Sequence, residues 1–490
     1  MLYATTAIAL PAQTLTTLFS FDGIDGRGPQ TPLVQGTDGN FYGTTNVGGA
    51  NGYGTVFKIT PSGALTTLYS FAGYPADGNW PTGLVQAANG DFYGTTEYGG
   101  ASCGDIGGCG TVFKITPSGT LTTLYSFCSQ GGVCQDGSQP FAGLVQATNG
   151  DFYGTTGAGG ANCITSVGCG TVFKITPSGR LTTLYNFCSQ GSHSTCLDGF
   201  QPYTGLVQAT NGDFYGTTFQ GGASDVCNSG CGTVFKITPG GTLTTLYSFC
   251  SQSGCTDGGG PKAGLVQAAN EDFYGTTLEG GANDDLCAPI SGCGTVFKIT
   301  PSGALTTLYS FCSQSGCTDG RGPQAELVEG TDGNLYGTTV SGGSHDEGTV
   351  FKITPSGTIR TLYNFCPPSA CPHGENPFAG LIQGTNGDFY GTTSGGGAIG
   401  DGTVFSLSVG LGPFVKTLPH NGEVGAAITI LGTDLTGTTS VSFNGTPAAF
   451  EVVSATEITT TVPAGATTGS IQVTTPGGAL VSSGPFLVLP

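Results

Sequence analysis

One phrase recurs along most of the chain and limits what it can fold into. LVQATNGDFYGTT and its near-copies start at Leu33, Leu84, Leu144, Leu206, Leu265, Leu327 and Leu381, and all but the last are followed by a Gly-rich loop, GTVFKITPSG and LTTLYSF. A period of about 50 to 60 residues signals stacked supersecondary units rather than one large core. LVQA and DFYGTT flank an Asn-Gly or Asp-Gly pair, such as Asn89-Gly90, which predicts a two-residue hairpin joining strands a and b. TVFKIT and LTTLYSF flank Pro-Ser-Gly, such as Pro61 to Gly63, which predicts a second turn joining strands c and d. Strands b and c carry apolar residues on both faces, for example Val56 beside Phe57, as a sheet held between two neighbours requires.

Four strands per unit and seven units predict an all-β, seven-bladed β-propeller. The array is defective at both ends: the seventh unit stops after GTVFSLSVG at 402–410, and a lone LTTLFSF, Leu15 to Phe21, precedes the first unit. Pairing Leu15–Phe21 with Thr403–Leu407 repairs both defects and closes the ring, whereas an open array would leave two unpaired edges. The expected organisation is a signal-peptide remnant or disordered tail at 1–13, the propeller at 14–409, a linker at 410–412 and a small immunoglobulin-like β-sandwich at 413–490.

Composition agrees with short strands and tight turns: 89 of 490 residues are Gly and only 9% are charged. The net charge of −19 makes nucleic acid and anionic membrane poor partners. No segment approaches the roughly 20 apolar residues of a membrane helix, so no membrane insertion is expected. All 18 cysteines fall in or beside the b–c and d–a loops, which a four-stranded meander places on one face of the ring; nine of the fourteen loops hold two and five hold none. That parity predicts nine disulfides and an oxidising compartment, hence a secreted or cell-surface protein. Local pairing gives Cys103–Cys109, Cys128–Cys134, Cys163–Cys169, Cys188–Cys196, Cys227–Cys231, Cys250–Cys255, Cys287–Cys293, Cys312–Cys317 and Cys366–Cys371. A cross-strand alternative pairs Cys109 with Cys128 and Cys169 with Cys188; blade six favours the local scheme, because its b–c loop has no cysteine to offer Cys366 or Cys371. Zinc has little support, since the spacings vary and only four His exist.

In near-identical repeats a site is sought where one blade departs from the rest. Lys58, Lys114, Lys174, Lys236, Lys298 and Lys352, and Gln35, Gln86, Gln146, Gln208, Gln267 and Gln383, recur and are expected to make blade-to-blade contacts. Asp25, Asp77, Asp136, Asp198, Asp257 and Asp319 each precede Pro by four residues; they are expected to cap their own turns, with calcium as the functional alternative. Blade six departs most. It carries His345, Asp346 and Glu347 in a shortened loop, and His373 with Glu375 where the other blades have the repeated Asp, all expected near Asp401. Two imidazoles and several carboxylates are the residue types that bind metal or transfer protons. No motif requires a cofactor.

The pairing of GTVFKITPSGTLTTLYSF with DGNFYGTT resembles the Gloeobacter/Verrucomicrobia (GloVer-type) tandem-repeat family of secreted bacterial proteins, over roughly residues 14–409. The stretch 413–489, with LPHNGEVGAAITILGTDL, SVSFNGTPAAF and TVPAGATTGSIQVTTPGG, resembles the IPT/TIG domain. These resemblances imply export and surface association, add no activity, and make the C-terminal domain a spacer. The chain ends without a sorting motif or hydrophobic tail, so free secretion is expected over covalent anchoring. The expected function is a monomeric binding or scaffold protein engaging extracellular glycan or protein through its loop face. The alternatives are a carbohydrate-active lyase or hydrolase with its site at blade six, and a structural surface-layer component.

Overall fold

Seven four-stranded antiparallel sheets and one two-sheet sandwich make up the computed structural model of the chain. Residues 13–100, 107–129, 134–162, 168–191, 196–227, 229–283, 287, 293–366 and 371–489 are described; all but the last residue of the tail expected at 1–13 lies outside them, as do Cys103 and Cys163 and hence the expected pairs Cys103–Cys109 and Cys163–Cys169. In blade one the strands are Val34–Gln35, Phe41–Thr45, Thr55–Ile59 and Leu65–Ser70. The second strand is fully buried along its length and the third is buried except for Lys58, because each sheet is packed on both faces.

The a–b turn differs from the expected two-residue form. Gly36 and Asn40 pair through their backbone, and Gly39 N–H donates to the Gly36 carbonyl, so three residues form the a–b loop, with Gly39 in the left-handed region at φ 78°. Thr60 pairs with Ala64 around Pro61–Gly63 in the same way. A one-residue bulge in strand d, at Leu68 and at Leu124, then shifts the register, so that Thr111 faces Ser126. Carried two residues further, that register sets Cys109 opposite Cys128, as the cross-strand alternative supposed. The structure nevertheless bonds Cys128 to Cys134, Cys188 to Cys196, Cys227 to Cys231, Cys250 to Cys255, Cys287 to Cys293, Cys312 to Cys317 and Cys366 to Cys371. The two bridges of one blade lie side by side, with Cys287 Sγ 3.3 Å from Cys312 Sγ.

Three sets of contacts run from blade to blade. On strand a, Gln86, Gln146, Gln208, Gln267, Glu329, Gln383 and Gln35 each accept the backbone N–H of a residue in the preceding blade, at 3.0–3.2 Å for the bonds made by Gln86, Gln146, Gln267, Gln383 and Gln35. On strand b a threonine hydroxyl donates to a carbonyl of the next blade, as Thr95 does to Ala142 at 2.7 Å and Thr392 to Pro29 at 3.3 Å. Aromatic pairs stack between adjacent strands b, as Tyr93 does on Phe152 and Tyr390 on Phe41. The Gln residues thus do join blades. The Lys residues do not: Lys114, Lys174, Lys236, Lys298 and Lys352 pair with Asp91, Asp151, Asp213, Asp272 and Asp332 of their own blades. Strand c sits beside strand b of the same sheet, within reach of the Asp that ends the a–b loop.

The strand Thr14–Ser20 is the fourth strand of blade seven and pairs antiparallel with Thr403–Ser408, Leu15 facing Leu407 and Ser20 facing Thr403. Blade seven meets blade one through Phe21, Phe41, Phe57, Tyr390 and Val404, which share one buried cluster.

The C-terminal sandwich packs Ala427–Leu431 and Glu457–Thr461 of one sheet against Ser440–Phe443 and Ile471–Thr475 of the other. Its core contains Ile428, Ile430, Val441, Phe443, Ile458, Ile471 and Phe486. It is seated on the a–b turns of blades seven and one, opposite the loop face, through Phe414 N–H to Thr385 O (2.9 Å), Thr433 to Thr385 (2.9 Å) and Thr456 to Thr37 O (3.3 Å). Lys416 Nζ donates to Gln383 O, and burial lowers this ammonium to about 8. No helix of the described residues is long and apolar enough to cross a membrane.

Candidate functional site

The structure brings together only part of the blade-six group. His345 is exposed and its Nδ1 lies 2.9 Å from Ser344 Oγ. Asp346 forms an ion pair with Arg321 at 2.8 Å and accepts the Gly342 N–H. Glu347 contacts Asn376, and its carboxyl is raised by burial and by Glu375 and Asp346 nearby. His373 faces another way: its Nδ1 is 2.9 Å from Thr17 Oγ1 of the N-terminal strand, and its ring meets Tyr363 edge-on. Glu375 Oε2 lies 2.9 Å from Cys371 Sγ, and Asp401 pairs with Arg27. Among the described residues, no group of three or more His, Cys, Asp or Glu ligand atoms includes either histidine. The two loops do touch, through Asn376 N–H to Glu347 O, and bring Asp346, Glu347 and Glu375 near one another, while the two histidines turn to the hydroxyls of Ser344 and Thr17.

The repeated Asp residues are structural in geometry. Asp198 and Asp257 are 0% exposed. Asp198 accepts Tyr185 OH at 2.7 Å, Ser189 N–H at 2.9 Å, Ser189 Oγ at 3.0 Å and Gln190 N–H at 3.3 Å. Tyr69–Asp77, Tyr125–Asp136, Tyr247–Asp257 and Tyr309–Asp319 repeat this latch. The turn-capping expectation was therefore incomplete, since the strand-d tyrosine closes each latch. Asp25 breaks the pattern because its strand d carries Phe19 in place of Tyr; it is only partly buried and accepts the Asp22 N–H instead. Blade six breaks it from the other side, with Tyr363 facing His373. In Asp77, Asp198, Asp257 and Asp319 both carboxylate oxygens accept protein donors, whereas the buried Asp136 Oδ1 has no protein partner.

Burial, reinforced by the bond to the carboxylate, pushes Tyr69, Tyr185, Tyr247 and Tyr309 up to about 12. The fold thus favours the neutral phenol, and this contribution is whole below the unfolded value near 10 and lost as pH rises towards 12. In an alkaline titration followed by phenolate absorbance, these tyrosines are expected to ionise late and together with loss of the β-sheet circular-dichroism signal. Ionisation of every tyrosine near pH 10 with the sheet signal intact would show that the latches are not protected.

A different group of residues converges on the propeller axis. A channel with a cavity of ≈ 290 Å³ is lined by the start of strand a from all seven blades. At its loop-face mouth two positions per blade meet: the residue after the d–a loop proline, and the residue after the paired threonines of strand b. Backbone bonds fasten the second to the first loop, as Gly157 N–H to Gln139 O and Phe219 N–H to Gln201 O. Here the repeats differ most. The first position is Gln30, Phe141, Tyr203, Lys262, Gln324 or Phe378, and blade two lacks it, passing from Pro81 through Thr82 straight to Gly83.

The aromatic members touch one another. Phe141 and Tyr203 have ring centroids 4.6 Å apart, Tyr203 and Phe219 5.6 Å, and Lys262 Nζ stands 5.2 Å over Phe219. Beside them, buried Glu97 is raised by desolvation and bonded to Tyr98, which meets partly exposed Trp80 edge-on at 5.8 Å. Asn46 donates to Gln30 Oε1 at 3.1 Å, and its own Oδ1 is buried with no protein partner. Half-buried aromatic faces, side-chain amides and a carboxylate around a concave mouth are the residue types that contact polar ligands. Aligning the blades position by position exposes this signal in the sequence, whereas comparing only loop lengths and His content led to blade six.

The repeat model described as Gloeobacter/Verrucomicrobia repeat matches residues 4–227 and 224–449, and the IPT/TIG model matches 414–488. The second repeat match runs past Thr403–Ser408, the last propeller strand, into the sandwich. Among proteins with curated descriptions, none matches the chain. Solved structures that share the fold include the following two. A fungal alcohol oxidase of the AA5 family in complex with copper is 14% identical, with 97% of this chain and 99% of that one covered and a TM-score of 0.52. The extracellular domain of a hybrid two-component system from B. thetaiotaomicron is 12% identical, with 98% and 60% covered and a TM-score of 0.50. Two repeat matches that together span most of its length establish that the chain belongs to the Gloeobacter/Verrucomicrobia repeat family and carries a C-terminal IPT/TIG domain.

Proposed function

We propose that this protein is an extracellular binding protein that engages glycan at the loop-face mouth of its axial channel. The observation that carries the reading is the meeting of Phe141, Tyr203 and Phe219 at that mouth, on a channel that the Gln30 amide lines as well. Sugar rings present flat apolar C–H faces edged with hydroxyls, and aromatic faces next to amides and carboxylates complement both. The disulfides in the surrounding loops support an oxidising, extracytoplasmic setting. The sandwich is fixed to the opposite end, which leaves the mouth free and suits a spacer role. A glycan array probed with wild-type protein and Tyr203→Ala is the test. Wild-type protein is expected to bind at least one neutral or cationic oligosaccharide, and Tyr203→Ala to weaken it roughly 30-fold, the ~2 kcal/mol of a central contact. Binding unchanged in Tyr203→Ala and Phe141→Ala would move the site elsewhere.

A further inference from the structure

Five blades place glycine immediately before the first leucine of strand a: Gly83, Gly143, Gly205, Gly264 and Gly380. Closeness of the backbones at the axis explains the choice. A Cβ on Gly83 would stand 3.3 Å from Gly143 Cα, and one on Gly380 would stand 2.9 Å from the carbonyl oxygen of Glu326. Blade one substitutes Pro32; blade six alone puts a long charged side chain, Glu326, at this level of the channel. The Glu326 Oε2 lies 3.3 Å from the position a Cβ would take on Gly264, so the side chain crosses towards blade five.

This carboxylate reaches the open space of the channel, yet protein encircles it. The side chain is exposed to the channel, and the protein that surrounds it on all sides raises its carboxyl to about 7. The other titratable residues lining the channel are Tyr203 and Lys262. Lys262 does not serve as counterion, because its ammonium lies over Phe219 and acts on Glu279. Glu326 is therefore the one carboxylate among the residues that line the channel, and no lining cation is paired with it.

We propose that the axial channel receives the ammonium group of an amine-bearing ligand, an amino-sugar unit of a glycan, on Glu326. This inference rests on the reading of the channel mouth as a glycan site. A divalent metal fits poorly, since calcium requires six to eight oxygens and the wall carbonyls of Ala142, Thr204 and Ala263 already accept threonine hydroxyls. An ammonium ion needs hydrogen-bond acceptors rather than a coordination shell. The ≈ 290 Å³ cavity lies at the small end of ligand pockets, room for one ring, with the aromatic mouth above it for the next units. The net charge of −19 draws cationic polymers towards the protein.

Titration calorimetry at pH 7 with the tetramer of glucosamine and with its N-acetylated counterpart tests the charge requirement on one scaffold. Wild-type protein is expected to bind the amine tetramer about tenfold more tightly. Glu326→Gln should erase that preference, and so should Glu326→Gly, which installs the residue five other blades already tolerate. Equal binding of both tetramers by wild-type protein, or a preference that persists in Glu326→Gln, overturns the inference. If in that case Tyr203→Ala still weakens both, the glycan site stands without an amine requirement. If wild-type protein binds neither tetramer, the inference fails, and the glycan array decides the broader reading separately.

Discussion

A chain lacking residues 14–20 is expected to lose the cooperative unfolding transition of the propeller. The deleted strand is the entire fourth strand of blade seven, and no other strand of the described residues pairs with that edge of Thr403–Ser408. Its Leu15, Leu18 and Phe19 are packed against the cores on either side of blade seven. At roughly 1 kcal/mol for each of these half-buried apolar side chains, their loss removes ~3 kcal/mol before the lost strand pairing is counted, a large part of a whole domain's stability of about 5–15 kcal/mol. The unpaired edge of Thr403–Ser408 would in addition template association. Calorimetry and light scattering of the truncated protein provide the check, with the peptide TLTTLFS added in trans as rescue. A truncated protein that melts cooperatively at the wild-type temperature would mean that the ring does not depend on this strand.

The second large effect is expected at the Tyr–Asp latches. Asp198→Ala leaves Tyr185 OH and the N–H groups of Ser189 and Gln190 without their acceptor in a site that is 0% exposed. Tyr185 is half-buried and Ser189 and Gln190 are exposed, so water can satisfy part of what is lost, and removal of the buried charged acceptor costs about 2–3 kcal/mol. Asp25→Ala, at the same repeat position but without a tyrosine partner, should cost no more than ~0.5 kcal/mol. Urea midpoints of the two variants compare them within one fold. Equal destabilisation would sink the claim that the latch, rather than the turn, holds the aspartate.

Much of this architecture is legible in the repeats. Strand order, blade number and the need for Thr14–Ser20 in the last sheet follow from counting LTTLYSF segments against LVQA segments, because a missing strand leaves hydrogen-bonding groups that must be satisfied somewhere. Local periodicity was less reliable for turns: Asn-Gly permits a left-handed residue in two- and three-residue loops alike, and only the Gly36–Asn40 pair distinguishes them. Cys109 and Cys128 were correctly set across from each other, but register alone does not say which neighbouring sulfur is bonded.

The candidate site was harder to see. His345 and His373 stand out in a sequence because their residue types are rare here, yet one turns to Ser344 and the other to Thr17. Phe141, Tyr203 and Glu326 look unremarkable singly, as ordinary residues near a loop proline. The sequence by itself determined the repeat, the strand order and the incomplete seventh unit, since these depend on local pattern and on saturating backbone hydrogen bonds. Only the tertiary structure decided that residues about 60 positions apart meet at one axis, because a ring brings equivalent positions of every blade to a common centre that no local pattern encodes.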